Sequence, residues 1–161
     1  MRALVLGAET PAGRALAAAL ATAGARFALI ASTSDAETAF AVQRLARRTS
    51  AALSQAIDAT NEMALRVMTS QVSKALGGLD ALFFCADLGA GTPQALALAC
   101  RFAAREMARG GGGAIVVASA AATPTSGGLP DGIRLLAVDV PAAPDDGWAR
   151  EVLARLARPH A

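Results

Sequence analysis

Short runs of apolar residues alternate with longer amphipathic segments from one end of the chain to the other. The runs have the length of β-strands and no regular polar alternation, which is typical of strands buried on both faces of a sheet. They are residues 2–6, 26–31, 52–57, 81–85, 114–118 and 133–138. Buried strands that alternate with helices form a parallel sheet covered on both sides. The pattern therefore predicts an α/β fold with three layers, α/β/α, and about six parallel strands.

The segments between the runs have the three- and four-residue spacing of helices that bury one face. They cover residues 12–24, 34 or 35 to about 48, 61–76, 93–109, and a last stretch that begins at 145 or 146. The third segment places Leu65, Met68 and Val72 on one side, which predicts that these residues face the sheet. In the second segment, we expect Phe40 and Leu45 to face inward.

Composition narrows the classes of protein to consider. The chain has 161 residues, of which 54% are hydrophobic and 17% charged, which excludes a disordered chain and fits one domain spanning residues 1–161. The net charge of +2 comes from 15 basic residues scattered among 13 acidic ones, so we expect no nucleic-acid partner. No apolar run approaches the roughly 20 residues that cross a bilayer, so we expect no membrane-spanning segment.

The two cysteines indicate a reducing compartment. Cys85 and Cys100 are not closely spaced, and His160 is the only histidine, so the sequence predicts neither a metal site nor a disulfide framework. Residues 15–25 form an uncharged stretch that resembles part of a signal peptide. A strand and a glycine turn precede that stretch, which favours a folded amino-terminal unit and a cytoplasmic protein instead.

A glycine-bounded turn, Gly7 to Gly13, joins the first predicted strand to the first predicted helix. Glycines at such a turn let the pyrophosphate of a dinucleotide approach bare backbone at a helix amino terminus. Only the outer two glycines are present, and Pro11 removes one N–H donor. Taken alone, the motif fits a nucleotide site or a plain strand-to-helix turn. Together with right-handed crossovers, it favours a Rossmann-like, doubly wound sheet that binds ligands beyond the carboxyl ends of its strands.

Five stretches, in order, resemble signatures of the short-chain dehydrogenase/reductase (SDR) family. Residues 4–27 resemble the opening TGxxxGxG motif and the helix that ends in LAxxGA, and the DAT at 58–60 is similar to the family's DVT. The remaining three are GGLDALFFCA at 77–86, similar to GxLDxLVNNAG; GGAIVVAS at 112–119, similar to GGxIVNxSS; and GIRLLAV at 132–138, similar to GIRVNAVxPG. The resemblance implies an NAD(P)-binding fold and oxidoreductase ancestry, and it implies that Asp58 contacts adenine.

The turn, the strand ends and the resemblance together give a set of candidate cofactor-binding residues. They are Gly7, Thr10, Ala12, Gly13, Ser32, Asp58, Ala59 and Ala86. After the second strand, an acid would accept hydrogen bonds from the ribose 2′-hydroxyl of NAD, whereas an arginine would favour the 2′-phosphate of NADP. The segment Ala31-Ser32-Thr33 has no acid, and its hydroxyls together with Arg14 slightly favour NADP over NAD.

The departures from the family concern its proton-transfer residues. The family's Tyr and Lys, written YxxxK, precede the strand that begins here at 133, yet the chain has no tyrosine and its one lysine is Lys74. The segment 120–132 is short and rich in proline and glycine, so it leaves no room for the helix that carries them. Ala120 stands at the family's catalytic serine, and no asparagine follows Asn61.

Because carbonyl reduction needs an acid beside the developing alkoxide, these departures imply a lost activity and no catalytic set. The sequence thus favours a catalytically degenerate SDR-like pseudoenzyme that binds NAD(P) weakly or acts as a non-catalytic, regulatory partner. One alternative is an active NAD(P)-dependent oxidoreductase that uses an unusual acid, a bound water or residues of a partner chain. Another is an interaction module that binds no ligand.

Three other residues near the predicted ligand edge have simpler interpretations. A single Ser119 without a base is typical of a strand end, and Cys85 after two phenylalanines is typical of an unreactive packed thiol. Asp87 stands where the family has a glycine, and we expect a solvated loop acid there.

The absent helix predicts an uncovered face of the sheet. Residues 115–117 and 135–138 would expose apolar side chains unless other parts of the chain or another chain cover them. We therefore expect a homo- or hetero-oligomer joined through this face, or segments 88–93 and 124–130 folded over it.

Overall fold

A computed structural model describes residues 1–124 and 127–158 and contains one six-stranded sheet. The strands are β1 (Arg2–Leu6), β2 (Arg26–Ala31), β3 (Leu53–Ala56), β4 (Ala81–Phe84), β5 (Gly113–Val117) and β6 (Ile133–Ala137). All neighbouring strands are parallel, in the order β3-β2-β1-β4-β5-β6. The chain builds outward from β1 first in one direction and then in the other, which makes the sheet doubly wound with its switch point between β1 and β4.

Among the described residues, four α-helices connect β1 to β5, and a fifth follows β6. They are α1 (Pro11–Thr22), α2 (Ala36–Thr49), α3 (Glu62–Leu76), α4 (Thr92–Arg109) and α5 (Asp146–Ala157). Four begin at a residue whose side chain accepts a hydrogen bond from the amide three positions later: Thr10, Asp35, Asn61 and Asp145. Such caps satisfy one of the free N–H groups of the first turn, so the sequence fixes these four starts locally.

The helices divide between the two faces of the sheet. Helices α1, α2 and α5 pack on the face that receives Ala3 and Val5 of β1, and α3 and α4 pack on the face that receives Leu4 and Leu6. Alternate residues of a strand point to opposite faces, so both sets of β1 side chains are fully buried. The predicted α/β fold, with three layers and six parallel strands, is confirmed, and the predicted element ends coincide with the observed ones or differ by at most two residues.

The expected inward position of Phe40 is wrong. Helix α2 buries Val42, Leu45 and Ala46, whereas 60% of Phe40 is exposed. At 100° per residue, Phe40 lies about 200° from Val42 and about 140° from Leu45, which places it on the outer side of the helix. The expectations for Leu65, Met68 and Val72 are confirmed, because all three are buried against the sheet.

The sheet around β5 is covered by the chain itself. Val116 lies in the core that also contains residues of α1, α2 and α5, and Ile115 and Val117 lie in the core that contains residues of α3 and α4. On the edge strand β6, Leu135 is half-buried and packs against the core that also receives Leu129. The predicted apolar exposure is therefore absent at β5 and reduced to a half-buried edge at β6.

In the part of the chain that the structure describes, no helix is long and apolar enough to cross a membrane. Nor do those residues contain a cluster of three or more side chains suited to a metal ion. His160, the one histidine, falls outside the described residues.

Candidate functional site

The carboxyl ends of β1 to β4 form one edge, where hydrogen bonds join the loops that follow them. The Gly7 amide donates to the carbonyl of Ile30 at 2.9 Å, and the Ala59 amide donates to the carbonyl of Ser32 at 3.1 Å. The structure brings all eight candidate residues to this edge: Gly7, Thr10, Ala12, Gly13, Ser32, Asp58, Ala59 and Ala86. The edge includes the switch point, where doubly wound folds bind their ligands.

The two glycines of the first turn are required by close approach of backbone to backbone. Gly7 has a φ of +91°, and a Cβ there would lie 2.4 Å from the Ala86 nitrogen. A Cβ on Gly13 would lie 2.3 Å from the Gly7 carbonyl oxygen. The turn therefore needs both glycines to fold, whether or not a ligand is bound.

The amino terminus of α1 keeps donors that an anion can use. The Gly13 amide donates to the Thr10 hydroxyl oxygen at 3.1 Å, and Pro11 has no N–H. Among the described residues, no acceptor is found for the amides of Glu9 and Ala12. Free N–H groups and the helix dipole favour negative charge, so this turn fits the pyrophosphate of a dinucleotide.

Glu9 places a carboxylate at the end of β2, which the sequence analysis did not predict. The Ser32 amide donates to Oε1 of Glu9 at 3.1 Å and to Oε2 at 3.2 Å, and the Ser32 hydroxyl donates to Oε1. Ser32 itself is 1% exposed. A search for an acid only after the second strand misses Glu9, because this carboxylate comes from the turn after the first strand.

Asp58 is exposed at the end of β3 and held by the residue two positions later. The hydroxyl of Thr60 donates to Oδ1 of Asp58 at 2.6 Å, and the amide of Thr60 donates to the same atom at 3.0 Å. Hydrogen bonds from the hydroxyl and then from the amide lower the pKa of Asp58 below its ordinary value. The carboxylate is thus ionised at neutral pH and accepts hydrogen bonds from this edge.

The residues beside β4 and β5 have scaffold roles. The Ser119 hydroxyl donates to the Ala86 carbonyl at 2.7 Å, which joins the ends of the two strands. Cys85 is buried, and burial together with the charge of Glu9 raises the pKa of its thiol. Asp87 is exposed and accepts from the Gly89 amide at 3.2 Å, as expected for a solvated loop acid.

Comparison with known families identifies this architecture. The sequence model described as short chain dehydrogenase matches residues 1–98, which include the glycine turn and the ends of β1 to β4. The chain belongs to the short-chain dehydrogenase/reductase family. A search of curated proteins finds no match to this SDR chain.

The solved structures similar to this SDR chain differ in length, and two of them are much longer. A short-chain type dehydrogenase/reductase from Mycobacterium marinum is 26% identical with a TM-score of 0.64, and the match covers 73% of this chain and 54% of that one. The NADPH-dependent 3-quinuclidinone reductase from Rhodotorula rubra is 19% identical with a TM-score of 0.59 over 73% and 51% of the two chains. The SDR chain thus spans about half the length of these relatives.

A third neighbour has nearly the same length. A metagenomic short-chain oxidoreductase in complex with NADP is 23% identical with a TM-score of 0.76, and the match covers 99% of this chain and 91% of that one. At this identity, the likeness shows that the two proteins share the fold.

Proposed function

We propose that this SDR chain binds a nicotinamide dinucleotide at the carboxyl edge of its sheet, without the family's tyrosine-lysine proton transfer. In this proposal it acts as a weak NAD(P)-binding, non-catalytic or regulatory protein. One observation carries the proposal: in a chain of this family, a glycine turn with two free amides lies between the ends of β2 and β4.

Each part of the edge offers donors or acceptors to one part of a dinucleotide. Free amides of Glu9 and Ala12 at the start of α1 would bind the pyrophosphate. The ionised Asp58 would accept from the adenine amino group, and Ala86 would border the nicotinamide half. When bound, the nicotinamide supplies hydride chemistry, which the protein must complete with a proton.

The side chains at this edge leave the proton without an evident donor. The titratable groups in the loops that follow β1 to β4 are the carboxyls of Glu9, Asp35, Asp58 and Asp87 and the buried Cys85, and the chain has no tyrosine. The Ser119 hydroxyl donates to a backbone carbonyl. A general acid needs a pKa near the working pH, which an ionised carboxylate such as Asp58 lacks.

Calorimetric titration with NAD+, NADH, NADP+ and NADPH tests binding, and a paired variant tests the site. We expect Asp58→Ala to weaken dinucleotide affinity about tenfold, since it removes a charged acceptor. Asp131→Ala is the matched control, because Asp131 is an exposed acid just before β6, at the opposite edge of the sheet. No heat and no thermal shift with any dinucleotide at millimolar concentration would overturn the proposal.

The second candidate function is an active oxidoreductase that takes its proton from an unusual acid, a bound water or a partner chain. The observation that favours it is the neighbour of nearly equal length, described as an oxidoreductase in complex with NADP. Turnover of a panel of carbonyl compounds with NADH and NADPH at ordinary enzyme rates would support this candidate and exclude a purely binding role.

The proposed cellular setting is the cytoplasm, where the free thiols of Cys85 and Cys100 stay reduced.

The proposed partner is a second chain that covers β6, whose residues Ile133–Leu136 are only half-buried at the edge of the sheet. Solution mass measured by light scattering tests this assembly, and a monomer at working concentration would contradict it.

A further inference from the structure

We propose that Glu9 is the residue that selects between NAD and NADP, and that it excludes the 2′-phosphate of NADP. This inference rests on the proposed function, because it concerns the same dinucleotide site. It reverses the slight preference for NADP that the sequence alone indicated, since that preference followed from the missing acid after β2.

The Glu9 carboxylate already accepts the hydrogen bonds of the donors that follow β2. The amide and hydroxyl of Ser32 are the first donors after β2, and all of their hydrogen bonds go to the Glu9 carboxylate. In a doubly wound fold, the residues that follow the second strand meet the adenosine ribose. A 2′-phosphate would need to displace Glu9 from Ser32, whereas a 2′-hydroxyl can donate to the carboxylate as it stands.

Neighbouring charges strengthen the discrimination. Asp35 caps α2 just beyond Ser32, where it accepts from the Thr38 amide at 2.9 Å and from the Thr33 hydroxyl at 2.7 Å. These hydrogen bonds lower the pKa of Asp35, so a second carboxylate is ionised beside the same loop. Its position also neutralises the positive end of α2, which would otherwise attract a phosphate.

The positive charge of Arg14 does not offset this arrangement. The guanidinium of Arg14 donates to the backbone carbonyl of Glu9 and makes no ion pair with its carboxylate. Burial and the Glu9 charge raise the pKa of Cys85, which keeps that thiol neutral. The ribose end of the site therefore presents carboxylates and a serine whose donors are already hydrogen-bonded to Glu9. This arrangement suits a neutral ribose and repels a phosphate.

Paired nucleotide fragments measure this discrimination without any catalytic step. Adenosine 5′-monophosphate and adenosine 2′,5′-bisphosphate differ only in the 2′-phosphate, as NAD+ and NADP+ do. By calorimetry, we expect the wild-type chain to bind the member without the 2′-phosphate at least about tenfold more tightly in each pair. Equal affinities, or tighter binding of the 2′-phosphorylated members, would overturn the inference.

Substitution of Glu9 assigns the effect to one side chain. We expect Glu9→Gln to reduce the preference for NAD+ over NADP+ by about tenfold, which would abolish or invert it. The change should come mainly from tighter binding of NADP+, because the variant loses a negative charge. Glu151→Gln is the matched control: Glu151 is exposed on α5, and the variant loses the same charge away from the edge. An unchanged ratio in Glu9→Gln would contradict the role of Glu9.

The outcomes separate this inference from the proposed function. If the wild-type chain binds none of the four nucleotides, the dinucleotide site itself is wrong. If it binds both members of each pair equally, the dinucleotide site is supported and the selective role of Glu9 is contradicted. If Glu9→Gln does not fold, the affinity ratio of the wild-type chain and a Ser32→Ala variant still test the inference. Ser32→Ala frees the Glu9 side chain to move, so it should reduce the preference for nucleotides without the 2′-phosphate.

Discussion

Ser119 and Ala86 are joined by a hydrogen bond of 2.7 Å, in which the serine hydroxyl donates to the alanine carbonyl. The bond connects the segment after β5 to the segment after β4, next to the buried Cys85. It uses the one proton of a hydroxyl that lies close to the proposed nicotinamide half of the site.

Replacement of Ser119 by alanine should therefore affect stability more than ligand binding. We expect Ser119→Ala to lower the free energy of unfolding by about 1 kcal/mol, since the Ala86 carbonyl loses its donor. Denaturant unfolding measures this loss, with Ser70→Ala on the exposed face of α3 as the near-neutral control. A variant of wild-type stability that loses measurable carbonyl turnover would show instead that Ser119 acts in catalysis.

The pair formed by Arg2 and Asp80 should make stability depend on acid pH. The amide, Nε and Nη2 of Arg2 donate to the Asp80 carboxylate at 2.8, 3.0 and 2.8 Å. The hydrogen bond from Arg2 lowers the pKa of Asp80 below its ordinary value of 3.8. A lowered folded-state pKa stabilises the protein above the unfolded-state pKa, and this contribution is lost as the pH falls through the folded-state pKa.

We accordingly expect Asp80→Asn to be less stable than the wild type at neutral pH and equally stable at strongly acid pH. Thermal unfolding across the acid range measures the two curves, which should converge as the pH falls. Asp131→Asn provides the control, as it removes an exposed acid without such a partner. Parallel curves at all pH values would refute the contribution of the pair.

The steric requirement at Gly7 can be separated from its backbone conformation. Gly7 and Gly24 both have positive φ, +91° and +71°, but an added Cβ has no neighbour within 4 Å at Gly24. We expect Gly24→Ala to cost about 1 kcal/mol and Gly7→Ala about 3 kcal/mol or more, because only Gly7 adds a clash with Ala86. Similar losses in both variants, measured by chemical denaturation, would argue against the close approach.

The two thiols should differ in reactivity in the folded protein. Cys85 is 2% exposed, and burial raises its pKa; burial also raises the pKa of the half-buried Cys100 to about 11. We expect an aromatic disulfide reagent at pH 8 to modify Cys100 slowly and Cys85 only after unfolding in denaturant. The single variants Cys85→Ala and Cys100→Ala assign the two phases. Fast modification of Cys85 in the native protein would contradict its burial.

Local sequence signals fixed most of the architecture. Apolar runs gave the strands, and side chains such as Asp35 and Asn61 marked helix starts because a capping bond joins residues only three apart. The prediction for Phe40 was wrong because it rested on a large apolar side chain, whereas the angular position of Phe40 relative to Val42 and Leu45 on the helix decides which side it faces. The candidate ligand edge was predictable because parallel strands bring all their carboxyl ends to one side.

The sequence by itself determined the α/β class, the order of the elements, the glycine turn and the absence of a tyrosine. Only the tertiary structure decided that the side chains of β5 are buried in the two cores on either side of the sheet, and that Glu9 reaches Ser32 across the edge. The physical reason is separation along the chain. Periodicity and caps depend on neighbours a few residues apart, whereas the Glu9 contact requires β1 and β2 to be paired before its two residues meet.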